Sequence, residues 1–255
     1  GFGDSGRLGY ASVATIGDNE TPQSMPWVQV GAPASDLTAG LVHTCALSTS
    51  GSVRCWGSGL YGQLGYGNTQ TIGDDEHPAA AGDVPLGATA VQVVAGHFHT
   101  CALMADGGVR CWGYGYYGAL GYGNKSTIGD DEPASAVAAV PLAARAVALA
   151  AGGGHTCALL ETGQLSCWGA SAAALGYGKN ALIGDDESPA SAGAVPLGGV
   201  AFAVTAGDAH TCALLAGGIT CFGDGASGRL GYASTATLGD DETPATKGLV
   251  QVLAP

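Results

Sequence analysis

Residues 90–94 read Ala-Val-Gln-Val-Val, with apolar side chains at every second position, the period of a strand that buries one face. Residues 99–104 make a second strand-like run and residues 108–113 a third, with a Gly at position 107 marking the turn between them. A fourth, weaker strand is expected near residues 139–142, after an acidic loop and Pro133. No segment sustains a 3.6-residue period, so no long helix is expected.

The pattern then repeats. His-Thr-Cys-Ala-Leu begins at His43, His99, His155 and His210, at intervals of 56, 56 and 55 residues. Leu-Gly-Tyr begins at Leu8, Leu64, Leu120, Leu175 and Leu230, and eight residues after each Leu comes Ile-Gly-Asp-Asp-Glu or a near copy. A fixed period of this length marks an array of one supersecondary unit. The expected fold is all-β: a β-propeller-type array of four-stranded antiparallel blades, in about four and a half repeats of 55–56 residues. It forms a single array, with units at 1–56, 57–112, 113–168 and 169–222 and a half unit at 223–255. Residues present in every copy build the unit, and residues that break the pattern are where function is sought.

Between paired cysteines lies a hairpin signature. If Leu47 opposes Val53, then Cys45 opposes Cys55 across a loop ending in Gly51, and Cys101 with Cys111 and Cys157 with Cys167 behave alike. The fourth loop is one residue shorter, yet Cys212 still faces Cys221 when Leu214 faces Ile219. Directly opposed residues of an antiparallel pair lie about 4.5–5.5 Å apart, within disulfide reach. Four disulfides are therefore predicted, each stabilising by about 2–3 kcal/mol. Reduced buried thiols are the alternative, and zinc a further one, although zinc ligands favour closer spacing. Persistent disulfides imply an oxidising compartment, extracellular or at the cell surface.

Glycine supplies 45 of 255 residues, far above the usual share of about 7%, which suits tight turns and not helices. No apolar stretch reaches the length of a membrane-spanning helix. The chain starts mid-unit at Gly1, and an upstream segment is expected to have been removed or left out. Net charge is −13, and 14 of the 21 acidic residues sit in the five repeated triplets. At one phase of the unit they should line one edge of the array, repelling nucleic acid and attracting a basic protein or a cation.

This pattern resembles the repeat of the regulator of chromosome condensation family, whose members form seven-bladed propellers. The matching residues are Ala95-Gly96 through His99, Cys101-Ala102-Leu103, Gly107, Trp112-Gly113, Gly118 and Leu120-Gly121, with equivalents in each unit. The paired Cys and acidic triplet are similar to those of secreted bacterial members. The family includes a nuclear exchange factor for a small GTPase and a secreted bacterial inhibitor of β-lactamases. Neither activity transfers: no loop matches the exchange insertion, the inferred disulfides argue against a nuclear location, and fold does not fix function.

The candidate chemistry is limited. His43, His99, His155 and His210 either converge as a metal ring or bond to backbone within their own blades. The triplets Asp74-Asp75-Glu76, Asp130-Asp131-Glu132 and Asp185-Asp186-Glu187 either cap turn amides or bind calcium, the only cofactor the sequence suggests. Trp56, Trp112, Trp168 and Phe222 are expected to wedge between blades. Runs such as Gly57-Ser58-Gly59-Leu60-Tyr61-Gly62 mimic a dinucleotide fingerprint but precede no helix. Catalysis lacks a nucleophile elbow, a phosphate loop or an unpaired Cys.

Departures from the repeat are few. Tyr61, Tyr114, Tyr116 and Tyr117 cluster in the glycine loops of units two and three, where exposed Tyr is a common recognition device. Met25-Pro26-Trp27 and the stretch to Asp36 depart where a cap is needed. Residues 1–22 echo residues 222–244, consistent with a segment of a longer protein, a head-to-tail polymer or an open arc. The resulting expectation is a non-enzymatic extracellular or surface-displayed repeat scaffold for protein binding or self-assembly. The alternative is an inhibitor or regulatory module that binds a soluble protein through the tyrosine loops.

Overall fold

In the computed structural model, which describes residues 1–252, every His-Thr-Cys-Ala-Leu segment is the middle strand of an antiparallel sheet. The first sheet is β1 (Ala34–Ala39), β2 (His43–Ser48) and β3 (Val53–Gly57); the second is β4 (Ala90–Ala95), β5 (His99–Met104) and β6 (Val109–Gly113). The third is β7 (Ala146–Ala151), β8 (His155–Leu160) and β9 (Leu165–Gly169); the fourth is β10 (Ala201–Ala206), β11 (His210–Leu215) and β12 (Gly218–Gly223). Among the described residues no helix exceeds four residues, and none is long and apolar enough to cross a membrane.

The hairpin register is the one the cysteines dictate. Cys45 faces Cys55 and Leu47 faces Val53, while in the shortened fourth loop Cys212 faces Cys221 and Leu214 faces Ile219. All four pairs are disulfide-bonded, with Cα atoms 4.1 Å apart. Gly51, Gly107 and Gly163 close the first three loops at φ +82°, +84° and +76°, a conformation that excludes most other residues.

The sheets have three strands and not the expected four. The segment expected as a fourth strand holds Val140-Pro141-Leu142, and its counterparts in neighbouring repeats read Val84-Pro85-Leu86 and Val195-Pro196-Leu197. Each Val amide makes one ladder-like bond, to the carbonyl of Val53, Val109 or Leu165. The next residue is Pro, which has no N–H to continue the ladder. What remains is a single-bond strap along the outer strand.

Packing divides the chain into two units. One comprises Gly1–Ala105, Arg110–Tyr114 and Thr127–Ala138, and within it β1 and β2 pack against β4. The other comprises Asp106–Val109, Gly115–Ser126 and the residues from 139 on, and within it β7 and β8 pack against β10. The two junctions use equivalent positions: Leu47 and Val93 are buried in the first, and in the second Leu159 is buried while Val204 is half-buried.

Candidate functional site

The repeated histidines are structural, and their bonding differs from both sequence readings. His43 Nε2 lies 2.8 Å from Thr100 Oγ1, a residue of the next sheet. Thr100 gives its single hydroxyl proton to the carbonyl of Gln63 at 2.9 Å, so His43 is the donor and its Nδ1 carries the lone pair. His155 Nε2 meets Thr211 Oγ1 at 2.9 Å, and Thr211 donates to the carbonyl of Ala174. A ring packed this tightly needs glycine beside it: a Cβ on Gly40 would lie 2.5 Å from His43 Cε1, and one on Gly152 would lie 2.2 Å from His155 Cε1. Burial, reinforced by a neighbouring imidazole, pushes His43 down to about 3 and His99 to about 4. The His43 and His99 imidazoles are buried and held neutral near pH 7.

The wedge aromatics tie the end of each repeat unit back to its own glycine loop. The indole N–H of Trp112 donates to Gln63 O and that of Trp168 to Ala119 O, each at 3.0 Å. Gly65 and Gly121 leave room for the rings, since a Cβ there would come within 2.7 and 2.8 Å of the indole nitrogens. Leu-Gly-Tyr has its own purpose. The Tyr66 hydroxyl accepts from the Cys55 amide and donates to the Cys55 or Gly82 carbonyl, all at 3.2 Å. Tyr177 treats Cys167 the same way. Burial pushes the Tyr66 hydroxyl up to about 12.

The acidic triplets are tight turns. In Asp74-Asp75-Glu76, Asp130-Asp131-Glu132, Asp185-Asp186-Glu187 and Asp240-Asp241-Glu242, one carboxylate oxygen from each residue lies within 4.8 Å of the others. The third residue caps the turn: Glu76 Oε1 accepts from the Gly73 amide at 3.3 Å, and Glu20 Oε1 from the Gly17 amide at 2.7 Å. Partial burial, then a shared hydrogen bond with the adjacent Asp, raises the carboxyls of Glu76, Glu132 and Glu187 above their ordinary range. The glycine run seats against this turn. A Cβ on Gly62 or Gly118 would lie 2.5 Å from the amide nitrogen of Asp130 or Asp185, so the dinucleotide-like spacing serves backbone packing.

Only the departures remain for recognition. Tyr61 packs on Tyr114 with ring centroids 4.9 Å apart and edge-on to Phe98 at 5.4 Å, and His97 adjoins Phe98 at 6.1 Å. Tyr61 and Tyr114 are half-buried in this cluster, not the exposed residues the sequence suggested. Tyr116 and Tyr117, in the other unit, stack edge to face at 4.8 Å and are 53% and 49% exposed. Sequence reasoning missed Phe98 and read His97, which occurs at that position in one copy alone, as an ordinary surface histidine. They stand where other copies have Leu41-Val42, Gly153-Gly154 and Asp208-Ala209, so the search for pattern-breaking residues contained the signal.

Comparison with known proteins accords with this architecture. The Regulator of chromosome condensation (RCC1) repeat matches residues 34–63, 90–119 and 146–172, and a second description of the same repeat matches residues 50–103. The probable E3 ubiquitin-protein ligase HERC6 of Homo sapiens is 34% identical over 207 residues, 78% of this chain and 19% of its own length. The ultraviolet-B receptor UVR8 of Arabidopsis thaliana is 30% identical over 170 residues, 66% of this chain and 36% of its own. The chain thus spans well under half the length of these relatives. Human WBSCR16 superposes with a TM-score of 0.71 at 20% identity, over 91% of this chain and 59% of its own. Yeast RCC1 (Prp20), solved with Kap60 bound, gives 0.64 at 19% identity, over 84% and 49%. The solved structures share the fold, the repeat is the one the buried His, Trp and Gly positions build, and the chain belongs to the regulator of chromosome condensation (RCC1) repeat family.

Proposed function

We propose that this chain is a non-enzymatic repeat scaffold that binds protein, outside the cell or at its surface. The observation that carries the reading is a division of labour. The residues common to all copies are consumed by packing, while the tyrosines and their aromatic neighbours, held on loops by the sheets, break the repeat and reach solvent. Rigid, partly exposed aromatics of this kind supply contact area at low entropic cost. The four disulfides support an oxidising compartment, and no free cysteine occurs among the described residues. Solved yeast RCC1 carries a bound protein, Kap60, which supports a protein partner as the general class.

The test is capture from the surface fraction of the native organism with the full chain and with Tyr116→Ala/Tyr117→Ala. A partner retained by the native chain and lost by the double variant supports the reading. Equal capture by both removes the exposed pair from it. A second reading, an inhibitor or regulator of a soluble protein, is favoured by the same exposed pair. It requires that the captured partner be soluble and change activity when bound.

A further inference from the structure

Every repeat displays one pair of side chains in a fixed frame beside its His. The amide of the residue after the aromatic-Gly pair donates to the carbonyl of the residue before His. Tyr114 bonds to Phe98 in this way at 2.9 Å, and the counterparts are Ser58 to Val42, Ala170 to Gly154 and Asp224 to Ala209. Of these pairs, Phe98 and Tyr114 alone are aromatic. Tyr61 joins them from the preceding glycine loop. That loop is held by its own bonds, from the Tyr61 amide to Gln63 Oε1 and from the Gly62 amide to the Gly59 carbonyl, each at 2.8 Å. The three rings are half-buried, so each keeps surface toward solvent on a backbone fixed by hydrogen bonds. Leu60, beside Tyr61, is 63% exposed.

The surroundings of these rings are anionic. Gly62 seats on the Asp130-Asp131-Glu132 turn, where a Cβ would fall 2.5 Å from the Asp130 amide nitrogen, so the turn adjoins Tyr61. The packing unit that holds the three rings carries eleven acidic residues against three arginines. Those arginines are engaged elsewhere: Arg7 at the Asp4 and Leu41 carbonyls, Arg54 at Asp83, and Arg110 at the Ser135 and Val137 carbonyls. Aromatic faces in a negative field suit a cation, because ring quadrupole and carboxylate attract the same charge. The pairing already occurs within the chain: Lys179 Nζ lies 5.7 Å from the ring centroid of Tyr177, and Lys247 Nζ 5.8 Å from that of Tyr232. We propose that Tyr61, Phe98 and Tyr114 dock a lysine or arginine side chain from a basic segment of a protein partner. The cation lies against the rings, Leu60 covers its methylene stem, and the Asp130-Asp131-Glu132 turn supplies the opposing charge.

The inference rests on the reading of this chain as a protein-binding scaffold and names the chemistry of its partner. The experiment is fluorescence anisotropy of the full chain with two labelled probes of equal length, an alternating Gly-Arg peptide and an alternating Gly-Glu peptide, at about 0.15 M salt. The Gly-Arg probe is expected to bind and the Gly-Glu probe is not. Tyr61→Leu/Tyr114→Leu keeps apolar area but removes two ring faces, and should weaken Gly-Arg binding about fivefold or more. Phe98→Leu repeats the ring test should that pair fail to fold. Asp130→Asn/Asp131→Asn should weaken binding more than Asp240→Asn/Asp241→Asn, which removes the same charge from another repeat's turn. A native chain that does not bind the Gly-Arg probe overturns the proposal. So does native-like binding by the leucine variants, which would mean that the rings give only apolar contact, or equal loss from the two asparagine pairs, which would mean that the attraction is diffuse. A protein captured from the surface fraction while the probe stays unbound leaves the scaffold standing and removes this site. The reverse result keeps the site and removes the scaffold.

Discussion

His43 and Thr100 are joined by a 2.8 Å hydrogen bond across 57 residues of sequence, and His155 and Thr211 repeat it at 2.9 Å across 56. The Thr hydroxyl receives the imidazole proton and passes its own to a carbonyl of the glycine loop, so three segments of chain close on one oxygen.

Thr100→Val should therefore strand two buried groups, the His43 N–H and the Gln63 carbonyl. Unsatisfied buried groups cost about 1–3 kcal/mol each, and a loss in that range is expected in urea unfolding. Thr100→Ser, which keeps the hydroxyl, should recover most of it. Equal stability of the Val variant and the native chain would show that the bond is not made.

The same histidines set the acid response. The folded chain holds His43 and His99 neutral down to about 3 and 4, whereas the unfolded chain takes up protons from the ordinary value of 6.5 downward. Their contribution is complete above 6.5 and is lost as the pH falls through that window. The triplet glutamates act in the opposite sense, because a raised carboxyl favours the folded state as pH drops through the range just above 4.5. Melting temperature should decline from neutral pH downward, then flatten as these carboxyls protonate. A melting temperature constant from neutral pH down to the carboxylate range would mean the imidazoles are hydrated.

Removing one disulfide tests the hairpin staples. Cys101→Ala/Cys111→Ala opens a loop with a sequence separation of 10 and should lower stability by about 2–3 kcal/mol. Mass spectrometry of the native chain after alkylation without reductant should show no added label, and labelling of most cysteines would contradict the bonds.

Screening should stabilise the fold, since a net charge of −13 is concentrated in turns whose carboxylates lie within 4.8 Å of one another. Melting temperature is expected to rise with sodium chloride. Because the glutamates are occupied in capping, calcium chloride at matched ionic strength should add no more than sodium does. A larger rise with calcium, accompanied by heat in a titration, would assign the turns to ion binding.

The hairpins were legible because three local signals coincide: alternating side chains, a Gly able to take positive φ, and two Cys that must oppose. Register survived even the deletion in the fourth loop, since Cys212 and Cys221 constrain it independently of the turn. The fourth strand was misread because Val140 and Leu142 look strand-like by hydropathy, while the intervening Pro141 abolishes the ladder. The His–Thr bond was invisible because its partners are adjacent letters in the motif. His-Thr reads as a local pair, whereas each His reaches the Thr of the following copy. The aromatic cluster was half legible: Tyr61 and Tyr114 stood out as Tyr, but Phe98 resembled the apolar residues that precede His in other copies.

One consequence follows from the Tyr66 hydroxyl on Cys55. The amide and carbonyl it occupies belong to the outermost strand of the sheet, where Ile72 also pairs with Gly57 and Val84 bonds to Val53. These bonds occupy rungs of that margin from which a foreign strand could otherwise start a cross-β stack. The phenol thus works as a safeguard against amyloid-like growth at this margin of the sheet.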